Sequence, residues 1–533
     1  MSRTERVAPW LAVLPIVVIT AVPVLVVLAS LAQPDRAVWS HLWQHVMPEL
    51  IVNTFWLVLG VAVGVTAIGV TLAWITGACE FPARRFFSWA LMLPLALPAY
   101  VTAFVWLGTF DATGALASWL RASTGMSLPP IRSRGGVILV MVLALYPYVY
   151  LTARAAFVSQ GRSLLEAAQS MGMARWQVFW RVSLPMARPA IAVGMLLAVM
   201  ETLADFGTVA VFNYDTFTTG IYKAWFALFS LPAAAQLASV LVIIVAIAAL
   251  LEGRLRARRD YSTSGRPAAA PARIILRGWH AGVAFAWASL VFGLAFVLPI
   301  SRILVWAAGV WARDADQRYL GFAWHSLVLA GMGALLITTL ALALAYAERV
   351  RPSAAMRASV RLSALGYALP GTVLAVGVFV PLAWLDNRII ELFGLAAPLI
   401  GGTLAAMLLA YCARFLAVAF GPVNAGLIRI SRSVDEAAQS LGVVGPRRLW
   451  RIHLPLLRSS VLAAAAIGFV ELMKELPITL MTRPFGWETL AVRVFEMTSE
   501  GEWDRAALPA AAIVVVGLLP VMLLIRSTSH AEA

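Results

Sequence analysis

The chain has 533 residues, of which 61% are hydrophobic and only 13% charged, with a mean hydropathy of +0.85. Soluble domains carry roughly 25% charged residues, so a soluble globule is excluded and the class is an all-α polytopic membrane protein. The formal charge of +15 is placed as arginines in short loops between apolar runs. That is the pattern of the positive-inside rule rather than of a nucleic-acid partner, for which no basic tail or aromatic-interleaved basic stripe exists.

On a ruler of about 20 residues per bilayer crossing, twelve helices are predicted, at 10–31, 51–76, 87–108, 136–157, 189–212, 235–252, 281–304, 325–347, 363–384, 399–420, 459–482 and 507–525. The first apolar run is longer than the roughly 7–15 residues of a signal-peptide core. No AxA-like cleavage site follows it, so it is expected to be a retained helix. With Met1 on the cytoplasmic side, 28 of the 41 Lys and Arg fall in cytoplasmic segments and 13 at the outer ends. This bias puts both termini in the cytoplasm. Cys79 and Cys412 lie at different depths and lack metal-ligand spacing, so neither a disulfide nor a metal site is expected.

The stretch 252–277, EGRLRARRDYSTSGRPAAAPARIILR, joins a basic run to Ser, Gly, Pro and Ala and reads as a flexible cytoplasmic linker. It divides the chain into a first half (1–252), a basic linker (253–280) and a second half (281–533), with six helices in each half. The halves are duplicated. EAAQSMGMARWQVFWRVSLP at 166–185 returns without a gap as EAAQSLGVVGPRRLWRIHLP at 436–455, an offset of 270. Glu201 pairs with Glu471 and Asp205 with Glu475 at the same offset, while Leu97-Pro98 pairs with Leu369-Pro370 at 272. An even number of helices per half makes this a parallel repeat, two six-helix bundles related by an axis along the membrane normal.

Each repeated passage, within loops at about 160–188 and 430–458, is amphipathic in an otherwise apolar chain and faces the cytoplasm. Glu166, Ala167 and Ala168, and likewise Glu436, Ala437 and Ala438, are expected to open a short helix whose alanines permit close approach. Gly172 and Gly442 allow a sharp turn at its end. A second amphipathic helix follows, and the Leu-Pro pairs 184–185 and 454–455 are expected to break it before the next crossing. A helix resting on lipid headgroups would explain the amphipathicity, but not two copies in fixed register.

With E-A-A, Gly and L-P at these spacings, the chain resembles the permease subunits of binding-protein-dependent ABC importers, in the fused form that carries both halves. The resemblance implies a bacterial inner-membrane protein with two ATP-binding subunits on the cytoplasmic side and a periplasmic substrate-binding protein outside. In it, Glu166, Ala167, Ala168, Gly172, Glu436, Ala437, Ala438 and Gly442 are the residues docking on the ATPases. The chain itself holds only Lys223 and Lys474, neither after a glycine, so it has no G-x-x-x-x-G-K-[ST] phosphate loop. No catalytic residues and no cofactor are expected in this chain, and ATP is expected to be used by the partner subunits.

Glu201 and Asp205 lie four apart on one helical face, and Glu471, Lys474 and Glu475 repeat the arrangement. Counted from Ala190 at 1.5 Å per residue, Glu201 lies roughly 17 Å along the helix, near the bilayer midplane. Ionisable groups there mark a pathway or a paired network, and these five are the expected lining of a translocation path. The flanking segments 200–226 and 473–496 resemble ferric-iron permeases, and a hard cation suits carboxylate and phenolate oxygens such as those of Glu201, Asp205, Tyr214 and Asp215. Fused permeases for thiamine and other small solutes share the architecture, and an ion-gradient-driven six-plus-six transporter is the reading from a different class.

Overall fold

A computed structural model describes residues 3–32, 36–111, 114–127, 129–160, 171–173, 175–260, 273–394 and 397–532. These residues are helical almost throughout, because hydrocarbon offers no hydrogen-bond partner and a crossing segment must satisfy its own backbone. Among the described residues ten helices are long and apolar enough to cross a membrane. A bent pair, Arg84–Ala96 and Ala99–Phe110, whose axes meet at 92°, makes an eleventh when the two are taken as one span. With the closing helix Trp503–Glu532, the architecture is the all-α polytopic one of about twelve helices. The only strand pairing among the described residues is a parallel two-residue bridge, Cys79 opposite Ile274 and Glu80 opposite Ile275.

Several crossings are interrupted, and at equivalent places in the two halves. The helix predicted at 87–108 breaks at Leu97-Pro98. Leu97 is extended (ψ 124°), since a proline ring disfavours the helical conformation in the residue before it. Pro98, at φ −58°, then starts the next helix. The second half repeats the device. A 3₁₀ turn at Leu365–Ala368 leads to extended Leu369 (ψ 143°), and the helix predicted at 363–384 is Gly371–Phe393. The helices predicted at 189–212 and 459–482 likewise stop, after Ala204 and Met473, before short restarts at Gly207–Val211 and Pro477–Thr482.

The Leu-Pro pairs of the repeated passages do the opposite of what was expected and leave the helix unbroken. A five-residue π-turn precedes each pair, at Phe179–Ser183 and Leu449–His453, with Leu184 N–H bonded to Phe179 O and Leu454 N–H to Leu449 O. A proline lacks a donor and crowds the carbonyl four residues back; the wider turn moves that carbonyl aside. The amphipathic segment therefore runs straight into the crossing, giving Phe179–Ala204 and Gly445–Met473 as continuous apolar rods.

Packing divides the chain into two compact units. One comprises Met1–Val46, Gly220–Val242 and Ala315–Val494; the other Met47–Thr219, Ile243–Asp314 and Phe495–Ala533. Each draws on both sequence halves, so units of packing and units of repetition are different divisions. In the first unit, Gln317–Val350, Leu404–Arg429 and Leu454–Met473 pack on one another around buried Ile337, Leu344, Tyr411 and Leu457, and Arg3–Ala29 lies on Gly371–Phe393. In the second, Met47–Ala78 runs along Arg134–Ser159, and Leu184–Ala204 joins both.

The Met47–Ala78 contact is made by a stripe of small residues. A Cβ added at Gly60, Gly64 or Gly69 would come within 2.6, 2.5 and 2.7 Å of Ile138, Val142 and Val149. In lipid, close backbone approach replaces the hydrophobic effect as the source of helix association. Gly64→Val should therefore destabilise the second unit by about 1–3 kcal/mol through overpacking. Gly282→Ala, at a position with open space around it, should not. Thermal unfolding of the detergent-purified protein checks this, and equal melting temperatures for the two variants would contradict the packing account.

Candidate functional site

The second repeated passage is described completely. Glu436, Ala437 and Ala438 lie in the second half of the helix Arg432–Ser440 rather than at its start. The helix ends at Gly442, whose φ is +73°. There Gly442 N–H donates to Gln439 O at 3.0 Å and Val443 N–H to Ala438 O at 2.8 Å. These paired bonds close a Schellman cap, which a left-handed residue makes possible and which favours glycine. Ala438 is buried against the cap, while Glu436, Ala437 and Gly442 face out. Of the first passage, Glu166, Ala167 and Ala168 lie outside the described residues. Gly172 is described, exposed and left-handed like Gly442, at φ +78°. The residue before each glycine is a large exposed apolar side chain, Met171 at 70% and Leu441 at 82% exposure.

An ionic anchor fixes the second passage to its membrane helices. Arg349, in the last turn of Gln317–Val350, donates through Nε to Asp435 Oδ2 at 2.8 Å. Its Nη2 also lies 2.8 Å from that oxygen. The same guanidinium donates to the carbonyls of Leu427, Ile430 (2.9 Å) and Ser431 (3.2 Å), at and just past the end of Leu404–Arg429. His453, fully buried in the π-turn, donates from Nε2 to Asp435 Oδ1 at 2.8 Å, and Arg448 stands 3.7 Å from that oxygen. Tyr346 completes the group by donating to Gly445 O at 2.7 Å.

One carboxylate thus ties the exposed helix to two crossings and to the rod that follows. At the 270 offset the first passage has Leu165 and Ser183 in place of Asp435 and His453, so it lacks the side chains for this anchor. None of Arg349, Asp435 and His453 was singled out from sequence. The available signal was an acidic residue directly before E-A-A and an arginine at a helix end.

The acidic residues of the membrane segments divide by role. Asp205 Oδ1 accepts the N–H groups of Thr208 (2.9 Å) and Val209 (3.2 Å), and Oδ2 accepts the Thr208 hydroxyl at 3.0 Å. It caps the restart Gly207–Val211. Glu475 does the same for Pro477–Thr482: Oε1 accepts Ile478 N–H at 2.9 Å, and Oε2 accepts Thr479 N–H at 2.9 Å and its hydroxyl at 2.8 Å.

Glu475 is buried and also meets Arg414 Nη1 at 3.1 Å. The corresponding stretch of the first half, 142–144, is Val-Leu-Ala. Arg414 was missed although an arginine inside an apolar run is itself a signal. Glu471 and Lys474 form a half-buried pair at 2.8 Å, and Glu201 is half-buried. Tyr214 donates to Asn53 O at 3.1 Å, and Asp215 accepts from Thr219 at 3.3 Å. No group of three or more His, Cys, Asp and Glu able to hold a metal ion occurs among the described residues.

A chain of two helical repeats, each with an exposed left-handed glycine shortly before a crossing, is a polytopic membrane protein of duplicated design. The particular family is the binding-protein-dependent transport system inner membrane component, which matches residues 69–259 and 337–529, and the chain is a member of it. It is 29% identical, over 90% of both chains, to a protein of Haemophilus influenzae described as an Fe(3+)-transport system permease protein. To a ferric transport system permease protein of Actinobacillus pleuropneumoniae it is 25% identical, over 73% of this chain and 57% of that one. To the molybdenum transport system permease protein of Escherichia coli it is 29% identical, over 42% of this chain and 97% of that one.

The Asp435 anchor has a defined pH signature. Burial alone would raise the Asp435 carboxyl, but the hydrogen bond and charge of Arg349, joined by His453 and Arg448, hold it below its ordinary value of 3.8. A depressed folded value means that the anchor's contribution is complete above that ordinary value and is lost as pH falls through the lower folded one. Amide exchange across 432–440 should accelerate in that acid window in the unmodified protein. Asp435→Asn should exchange faster already at pH 7 and show no acid step. Unchanged exchange at pH 7 in Asp435→Asn would contradict the anchor.

Proposed function

We propose that this chain is the membrane-spanning permease of an ATP-driven importer that takes ferric iron from a periplasmic binding protein into the cytoplasm. Two ATP-binding subunits dock on the two repeated passages and hydrolyse the ATP, and this chain supplies the path. The observation that carries the coupling half of the proposal is the pair of exposed passages. They have the same left-handed glycine and the same exposed apolar neighbour at one offset, and each is continuous with a crossing helix. Movement imposed on the passage is then passed to the membrane segment as a rigid-body displacement.

For the substrate, the support is the extent of the similarity. The relative named for Fe(3+) matches across both halves, whereas those named for molybdenum and sulfate match over less than half of this chain. In this reading Glu201, Glu471 and Lys474 are the path-lining charges, while Asp205 and Glu475 hold the helix breaks beside them.

Gly172→Pro and Glu436→Arg should each abolish uptake and release ATP hydrolysis from transport, with the protein still inserted in the membrane. Uptake of labelled Fe³⁺ and ATPase rates in membranes holding the whole complex check this; normal uptake by both variants would sink the coupling assignment. Competition by molybdate, sulfate or thiamine, with none by Fe³⁺, would instead overturn the substrate and leave the coupling intact.

A further inference from the structure

The parallel bridge of residues 79–80 with 274–275 lies where three crossings end together. Trp39–Ala78 finishes just before it, and Phe179–Ala204 and Trp279–Asp314 begin beside it. The segment 273–277 is held in place by main chain and charge. Leu276 N–H donates to Glu80 O at 3.0 Å. The Glu80 carboxylate meets Arg273 at 3.3 Å and buried Arg84 at 3.0 Å.

Between this segment and the first passage opens a cleft of about 990 Å³, lined by Trp74, Phe179, Trp180, Arg273, Arg277 and His280. Trp74 and Phe179 pack at 4.7 Å to form one wall. Glu80 is shared by Arg84 and Arg273, and Arg277 has no carboxylate partner among the described residues. Among its described lining residues Arg273 and Arg277 are cations and none is a carboxylate, and the cleft stands beside the ends of three crossings.

Two of its lining side chains are apolar and exposed, Trp180 at 59% and Ile275 at 58%, and Trp279, next in the chain to the lining residue His280, is 70% exposed. Cations and exposed apolar side chains in one cleft match an amphiphile that carries both a phosphate and acyl chains. A soluble phosphate would use the cations and leave the exposed apolar side chains unused.

We propose that this cleft binds the headgroup of an anionic phospholipid, with the phosphate on Arg277 and Arg273 and the acyl chains leaving past Trp180 and Ile275. The site is separate from the exposed glycine turns, and the proposal does not depend on which solute the protein carries.

The test is lipid titration of the delipidated full chain by native mass spectrometry, with phosphatidylglycerol, phosphatidylcholine and inorganic phosphate as probes. Phosphatidylglycerol should bind at least about tenfold more tightly than phosphatidylcholine, since each basic group near the surface contributes about fivefold. Arg277→Ala should weaken it by about fivefold, Arg277→Lys should restore most of the loss, and Arg388→Ala, on the helix Gly371–Phe393 and not among the cleft's lining residues, should leave binding unchanged. Equal affinity for the two lipids, or unaltered phosphatidylglycerol binding by Arg277→Ala, would overturn the proposal. So would complete displacement of the lipid by millimolar phosphate, which would mark a site for a free anion.

Discussion

A backbone in hydrocarbon must satisfy every N–H and C=O from within the protein, and the architecture follows from how this chain meets that demand where its helices are interrupted. After Ala204 and Met473 the helix stops and restarts. In each case a carboxylate, Asp205 or Glu475, accepts the first free N–H groups of the new helix. At Leu97-Pro98 and Leu369-Pro370 the break falls where proline removes a donor in any event. Before Pro185 and Pro455 the chain adopts a π-turn and remains helical. Charges that seem extravagant in a membrane are in these places the means of allowing a bend. The bends are what distinguish this bundle from a plain stack of rods.

The same economy operates at the membrane surface. Arg349 donates to carbonyls at one helix end and also holds the carboxylate of the exposed helix. Loss of either partner would strand a charge that is largely buried, which is why such a pair fixes geometry even where its net contribution to stability is small. The second passage is therefore braced by ionic contacts, whereas the first has leucine and serine at the equivalent positions.

Much of this was legible from residues alone. Composition decided the class, and ungapped recurrence at 270 residues exposed the duplication. The glycines at 172 and 442 announced turns that are in fact left-handed. Other features were hidden for definite reasons. Asp435 meets partners 86 and 18 residues away, a proximity that only tertiary packing creates. The Leu-Pro pairs read as helix terminators because periodicity carries no trace of a π-turn that removes the proline's clash. Asp205 and Glu475 were each placed on one face of an unbroken helix, and their capping bonds were hidden because periodicity does not show the break. The exchange of helices between packing units left no mark on the pattern of repetition.

The central claim is that energy enters through the repeated passages from ATPase chains and is spent on moving a solute through this one. The most direct measurement is uptake by proteoliposomes holding this chain, its ATP-binding subunits and the binding protein, with all ion gradients collapsed. The account predicts accumulation of labelled Fe³⁺ that requires ATP hydrolysis and the binding protein. Uptake by this chain alone, driven by an imposed ion gradient and indifferent to ATP, would contradict it.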